Sequence, residues 1–258
     1  MTHLPPAAAV RPLYEGGPQV SGIGWGMWRF SGDDVAAAEA RVVAALDAGV
    51  TLFDTADIYG PDNNEPFGAA EALLGRVFQR NRGLAQRMVI ATKGSIVIGT
   101  PYDSSRAYLT SAIDASLARM GVEHVALWQI HRPDILTHPS EIAEALTAAH
   151  KAGKIGAIGV SNFTASQVEA LAAYLDLPVV SNQIELSPLE ITPFTNGLTD
   201  QALARRMTVM AWSPLGGGRL FGEDSEQARR ARETLTKIGA ELGGALLDQV
   251  ALAWILRH

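Results

Sequence analysis

A chain of 258 residues is long for one ordinary domain and normal for a single α/β barrel, a fold that commonly reaches about 250 residues, so one domain is expected. With 47% hydrophobic and 19% charged residues it can bury a sizeable core, which excludes an intrinsically disordered chain. Lys plus Arg is 21 against 27 for Asp plus Glu, and the net charge of −6 excludes the overall positive field that draws a protein to nucleic acid or an anionic membrane. The chain has no cysteine, so a disulfide framework and a thiolate site are excluded too; a cytoplasmic protein fits this usage.

In chain order, the opening "MTHLPPAAAVRPLYEGG" has a Pro pair and early charge where a signal peptide needs an unbroken apolar stretch, and is expected to be a loose arm. Short β-branched or apolar runs follow near 20–24, 50–53, 88–92, 124–130, 155–160, 179–185 and 207–212, separated by segments with helical spacing. Val35, Ala38, Val42 and Leu46 mark a first helix with Gly49 placed to end it. Leu109, Ile113, Leu117 and Met120 mark another, closed by Gly121. "TASQ", Thr164 to Gln167, has capping-box spacing and predicts a helix start. The late apolar stretch "ALLDQVALAWIL" contains Asp248 and Gln249 and is too short to cross a bilayer.

Strand and helix alternation without a break in composition predicts a parallel sheet, and this many units at this length predict an α/β fold of the (β/α)8 TIM barrel type in one domain, residues 1–258. Seven strands are counted, not eight. After the helical pattern "GALLDQVALAWILRH" an eighth strand would be due, and a seven-stranded barrel has two unpaired edges, which are costly.

"LFDTADIYG", Leu52 to Gly60, runs an apolar strand into an aspartate and sets a tyrosine five positions later. In a barrel the active site lies at the C-terminal ends of the strands. Asp54 ends the second strand, Tyr59 follows on its loop, Lys93 ends the third in "MVIATKG" and His131 ends the fourth in "ALWQIHRPD". Each alone has a structural explanation: a turn cap, a packed ring, a surface ion pair, a hydrogen-bonded imidazole. Together they make a proton donor. Asp54 keeps the Lys93 ammonium charged, and the ammonium favours the Tyr59 phenolate, lowering its pKa; the His131 imidazole can hold a carbonyl oxygen for protonation by Tyr59. Such chemistry requires an electron-pair source that no side chain here supplies, and a hydride cofactor would supply it.

"FDTADIYG", "ATKG", "LWQIHRPD", "GVSNF", "NQIELSP" and "AWSPLGGGRLF", in this order and at these strand ends, resemble the aldo-keto reductase family, most of all its bacterial predicted-oxidoreductase branch, from about Val20 onward. The resemblance implies a (β/α) barrel that binds NADP(H), with NAD(H) left open, and moves hydride to an aldehyde or ketone. Asp54, Tyr59, Lys93 and His131 match the family's catalytic tetrad, with Tyr59 as general acid in reduction. Ser161, Asn162 and Gln183 match its contacts to the nicotinamide carboxamide. Trp212 stands where an aromatic ring, more commonly Tyr, stacks on the nicotinamide. Ser213, Pro214, Leu215, Gly216, Gly218 and Arg219 match the loop around the pyrophosphate. Gly26, Met27 and Trp28 match the loop after the first strand, although "GWGMWRF" departs from the commoner Gly-Thr-Trp pattern.

The aromatics Trp25, Trp28 and Phe30 form a cluster that reads mainly as packing, with Trp28 as the one expected to face the site. His124, His138 and His150 lack ligand spacing, and no metal is expected. The family also implies an eighth strand, a loop and a last helix that bind the adenosine 2′-phosphate; these are absent from the 258 residues, so the barrel domain is expected to be C-terminally incomplete. The expected partner is a small aldehyde or ketone, with no nucleic acid and no membrane. Two other readings are a cofactor-sensing regulatory subunit with little turnover, and a barrel isomerase or hydrolase using Asp54 with His131, which leaves Lys93, Asn162 and Gln183 without a role.

Overall fold

The computed structural model describes residues 10–257, in which short strands alternate with amphipathic helices. The strands are β1 (Val10–Pro12), β2 (Gln19–Ser21), β3 (Trp25–Gly26), β4 (Leu52–Asp54), β5 (Val89–Gly94), β6 (Leu127–Ile130), β7 (Ile158–Ser161), β8 (Val179–Glu185) and β9 (Thr208–Trp212). The helices are α1 (Val35–Asp47), α2 (Ala69–Arg80), α3 (Arg106–Met120), α4 (Pro139–Lys151), α5 (Ala165–Ala172), α6 (Leu198–Arg205), α7 (Arg219–Gly222), α8 (Glu226–Glu241) and α9 (Leu247–Arg257). Their ends follow local rules. Asp34 caps α1, Gly121 closes α3 in the left-handed conformation, and Thr164 with Gln167 forms the expected capping box on α5.

Strands β3 to β9 make one seven-stranded parallel sheet whose spatial order equals their chain order. A doubly wound sheet would reverse order at a switch point. This one never does, so it curls one way into a (β/α) TIM barrel, nearly closed, with β3 and β9 as its two edges.

Strand alternation sorts the side chains. Phe53, Ile90, Trp128, Ile158 and Val160 point outward and form, with the helix faces, the main core. Leu52, Ala91, Leu127, Ala157 and Val180 point inward and fill the lower barrel. Two residues further along the same inward face stand Asp54, Lys93 and Gln129, so the barrel interior changes from apolar to polar toward its C-terminal mouth.

Two expectations are corrected here. Of the expected loose arm, residues 1–9 lie outside the described residues, but Val10–Pro12 pairs antiparallel with Gln19–Ser21 in a hairpin. Leu13 and Val20 are inserted among the inward residues at the barrel bottom, and the Thr208 hydroxyl donates to Leu13 O at 2.6 Å. Burying such side chains is worth about 1.5–3 kcal/mol each, enough to order the segment. The single strand expected near 20–24 is two elements: β2 belongs to the hairpin and the barrel's first strand is only Trp25–Gly26. Ser21 breaks the run, its hydroxyl donating to Ile23 O at 2.6 Å and its amide to Thr51 Oγ1 at 2.8 Å.

Candidate active site

At the mouth, the Lys93 ammonium is fully buried and donates to Asp54 Oδ2 at 2.5 Å and to Thr55 O at 2.8 Å. The other Asp54 oxygen accepts from Gln129 Nε2 at 3.1 Å. Three adjacent strands thus supply an ion pair whose carboxylate is held at both oxygens, the condition under which a buried pair is tolerable. Burial works to strip the Lys93 proton, but the Asp54 carboxylate, aided by Tyr59, outweighs it and raises the ammonium's pKa above its ordinary value.

The Lys93 nitrogen lies 5.0 Å from the centre of the Tyr59 ring, and the His131 ring meets the same ring edge-on at 5.9 Å. Asp54, Tyr59, Lys93 and His131 therefore converge, as the strand ends predicted. The expected net effect on Tyr59 is corrected: burial pushes the phenol above its ordinary pKa, Lys93 pulls it down less, Asp54 pushes it up and Arg132 pulls it down. The physical reason is burial, which disfavours the charged phenolate more than the Lys93 ammonium favours it, while the Asp54 carboxylate paired with that ammonium at 2.5 Å adds to the rise. A phenol so placed keeps its proton at neutral pH, the state a donor needs. Burial, with the charges of Lys93 and Arg132, lowers the His131 pKa to about 2, so the ring is neutral and carries one N–H; its Nδ1 is buried without a partner among the described residues.

The residues expected to hold a cofactor lie along β7, β8 and β9. Ser161 Oγ donates to Gln183 O at 2.9 Å, and Asn162, with φ at +60°, donates from Nδ2 to Ser161 Oγ at 2.8 Å and to His131 O at 3.2 Å. Trp212 Nε1 donates to Asn162 Oδ1 at 2.9 Å. Gln183 is 6% exposed, and its backbone carbonyl takes the Ser161 hydroxyl. Side-chain amides at Asn162 and Gln183 and a half-buried indole at Trp212 suit a planar carboxamide-bearing ring. Beyond them Ser213, Gly216, Gly217 and Gly218 all have positive φ, in a tight turn where the Gly216 amide donates to Ser213 O at 2.7 Å and the Gly218 amide to Leu215 O at 3.2 Å. Pro214 and Leu215 lie within that turn, and the Arg219 guanidinium beside it faces Glu185 at 3.3 Å and Glu223 at 3.9 Å. These donor sets fit a nicotinamide dinucleotide.

On the opposite side, Gly26 ends β3 and is exposed, while the Met27 side chain is wholly buried in the core, which leaves only its backbone for a ligand. Trp25 packs against Phe30 and Phe53 at 5.6 and 5.7 Å, whereas Trp28 is 44% exposed and donates to Asp62 Oδ2 at 2.9 Å. His124, His138 and His150 serve the backbone or a helix start: Nδ1 of His124 and of His150 lies at 2.8 and 3.2 Å from Gly153 O and Ile155 O, and His138 caps α4.

Two site residues were missed in the sequence. Gln129 stands on β6 two positions before His131, which directly follows that strand, and that period-2 offset is the available signal. Arg132 reaches over the Trp212 ring at 5.9 Å and acts on both Tyr59 and His131 by charge; nothing in its local sequence indicates this.

Fold and site together are those of a (β/α) barrel with a buried ion pair, a phenol and a neutral imidazole at the C-terminal mouth. Residues 22–258 match the sequence profile of the Aldo/keto reductase family. The chain is 47% identical over 260 residues to a 6-dehydroglucose reductase of Novosphingobium aromaticivorans, covering all of this chain and 85% of that protein. It is 39% identical over 253 residues to a 6-dehydroglucose reductase of Agrobacterium fabrum, covering 93% of this chain and 82% of that one. The crystal structure of the thermostable aldo-keto reductase Tm1743 with the inhibitor epalrestat superposes with a TM-score of 0.81 at 26% identity, covering 96% of this chain and 85% of that chain. The protein belongs to the aldo-keto reductase family and is an NAD(P)H-dependent oxidoreductase acting on small carbonyl compounds. Among the described residues no helix is long and apolar enough to cross a membrane.

Proposed function

We propose that this single barrel domain reduces an aldehyde to the alcohol with NADP(H) in the cytoplasm, and that Tyr59 gives its proton to the carbonyl oxygen. The observation that carries the reading is the Lys93 ammonium, bonded to Asp54 at 2.5 Å and set 5.0 Å from the Tyr59 ring. When bound, the nicotinamide supplies the hydride. Asn162, Gln183 and Ser161 would hold its carboxamide, Trp212 would cover its ring, and the turn from Ser213 to Arg219 would receive the phosphates.

The chain's own residues do the proton work. His131, neutral, donates its N–H to the carbonyl oxygen and orients it beside Tyr59. Lys93 stabilises the phenolate left after the proton has gone, and Asp54 with Gln129 keeps Lys93 in place. The relatives named as 6-dehydroglucose reductases point to the aldehyde end of a polyhydroxylated compound as substrate class.

The test follows NADPH absorbance with a panel of sugar-derived and simple aldehydes, using Tyr59→Phe as control. The substitution is expected to lower kcat by roughly 10²–10⁴, the worth of a positioned acid, while cofactor still quenches tryptophan fluorescence. A Tyr59→Phe enzyme that keeps a tenth or more of the activity would overturn the assignment.

A further inference from the structure

Behind the catalytic wall lies a second buried carboxylate that the proposed chemistry does not use. Asp57 is two residues from Tyr59 and 1% exposed, and its Oδ2 accepts from the Tyr108 hydroxyl of α3 at 2.7 Å. Its Oδ1 is buried without a partner among the described residues. Burial pushes this carboxyl up to about 7, with Glu71 of α2 adding to the rise while Tyr108 and Arg119 of α3 oppose it. The fold therefore keeps an acid where stability alone would favour an apolar residue.

The surroundings are built for it. A Cβ at Gly94, the residue after Lys93, would meet Asp57 Oδ2 and Trp128 Cζ2, each at 2.9 Å, so glycine there makes room for the carboxylate. The next residue, Ser95, has φ of +112°, a strained value for a residue with a side chain; its amide donates to the Tyr108 oxygen at 3.4 Å and its hydroxyl to Arg132 O at 2.8 Å. The Tyr108 hydroxyl thus links the end of β5 to the loop that carries Tyr59. That loop is also fixed by Asp57 N donating to Lys93 O at 2.9 Å and by Ala70 N donating to Tyr59 O at 3.1 Å. Those two bonds hold its backbone to β5 and α2; the Asp57 carboxylate ties the Tyr59 end of the loop to α3 by a hydrogen bond, while Arg119 of α3 lies over the Phe67 ring at the loop's far end at 5.9 Å.

We propose that Asp57 is a positioning residue for the Tyr59 phenol, its carboxylate anchoring the Tyr59 loop to α3 through the Tyr108 hydroxyl. The inference rests on Tyr59 being the proton donor. A misplaced donor costs rate without costing binding, because the cofactor contacts lie on β7 to β9 and the loop after them.

The experiment measures kcat, aldehyde KM and cofactor Kd for Tyr108→Phe, Asp57→Ala, Asp57→Asn and the double variant Tyr108→Phe with Asp57→Ala, with circular dichroism as the folding check. Tyr108→Phe, the mildest change, suffices alone if the Asp57→Ala protein does not fold. Expected are a roughly tenfold fall in kcat for Tyr108→Phe and Asp57→Ala with cofactor Kd within twofold, recovery in Asp57→Asn, whose amide oxygen still accepts the phenol proton, and a double variant no slower than either single one. Unchanged kcat in Tyr108→Phe, additive losses in the double variant, or parallel losses of kcat and cofactor affinity would each overturn the anchor. If Tyr59→Phe stays active, the proton-donor reading itself fails; if Tyr59→Phe is inactive and Tyr108→Phe is normal, only the anchor fails.

Discussion

The two sides of the barrel mouth are built differently. On β4 to β6, Asp54, Lys93 and Gln129 are buried and bonded to one another at 2.5 to 3.1 Å, so this wall is fixed before any ligand arrives. On β7 to β9 and beyond, Asn162, Trp212 and Arg219 are half-buried or exposed and hold partners that a ligand could take over. The groups proposed to tune a proton must be right in advance, since reorganising a buried charge during reaction is costly. The groups proposed to grip a dinucleotide can exchange one hydrogen bond for another at little cost.

The contrast is broken most directly at Lys93. Lys93→Met leaves the Asp54 carboxylate buried without its counter-ion, which is expected to cost about 3–5 kcal/mol of stability, read from the urea midpoint, and to lower kcat at least a hundredfold. Adding Asp54→Asn removes the orphaned charge, so the double variant should recover most of the stability and none of the rate. A Lys93→Met protein as stable as the parent would show that the pair carries no mutual stabilisation.

Much of the rigid wall was legible in the sequence, because each of its residues follows an apolar strand and strand ends are where a barrel's polar groups gather. The tetrad residues needed no knowledge of packing. What was not legible depends on distance across the fold. The Asp57–Tyr108 bond joins residues separated by α2, β5 and the loops around them, and the hairpin that closes the barrel bottom is fixed by Leu13 meeting side chains from strands throughout the chain. The direction of the Tyr59 shift was misjudged for the same reason: the Asp54–Lys93 pairing was foreseen, but the burial that outweighs the lysine's pull is not written in the residues around a tyrosine. On the flexible side, the stretch Ser213 to Arg219 announced its backbone freedom through its glycines, while the acid partners of Arg219 did not announce themselves.

A smaller effect sharpens the comparison within the rigid side. His131 has a pKa of about 2 in the fold against an ordinary 6.5, so between those values the unfolded chain binds more protons, and stability is lost as pH falls below about 6.5. Asp57 has the opposite sign. Its pKa of about 7 against an ordinary 3.8 means the folded chain binds more protons in that window, and the stability present below 3.8 is lost as pH rises through 7. The two oppose each other between about pH 4 and 6.5, and only the Asp57 loss continues above. Asp57→Asn should therefore gain on the parent as pH goes from 5 to 7, by at most about 1.4 kcal/mol per unit, and His131→Gln should lose its acid-side slope. Urea midpoints at pH 5, 6, 7 and 8 decide it, and parallel curves for parent and both variants would show that neither group titrates differently on folding.

The smallest effect is expected on the adaptable side, at Arg219. Its guanidinium is about half exposed and shared between Glu185 at 3.3 Å and Glu223 at 3.9 Å, pairs of a kind worth little in water. Arg219→Gln should leave the urea midpoint almost unmoved. If the backbone run from Ser213 to Gly218 receives phosphates as proposed, the arginine leaves its carboxylates for a more highly charged partner, and its loss should weaken cofactor binding roughly threefold to tenfold at low salt. The deficit should shrink at high salt, where screening reduces what the charge contributes in the parent. Fluorescence titration with NADPH at two salt concentrations measures both. An Arg219→Gln protein with unchanged affinity at low salt would mean that the two glutamates keep the guanidinium, and that the glycine-rich backbone alone meets the anion.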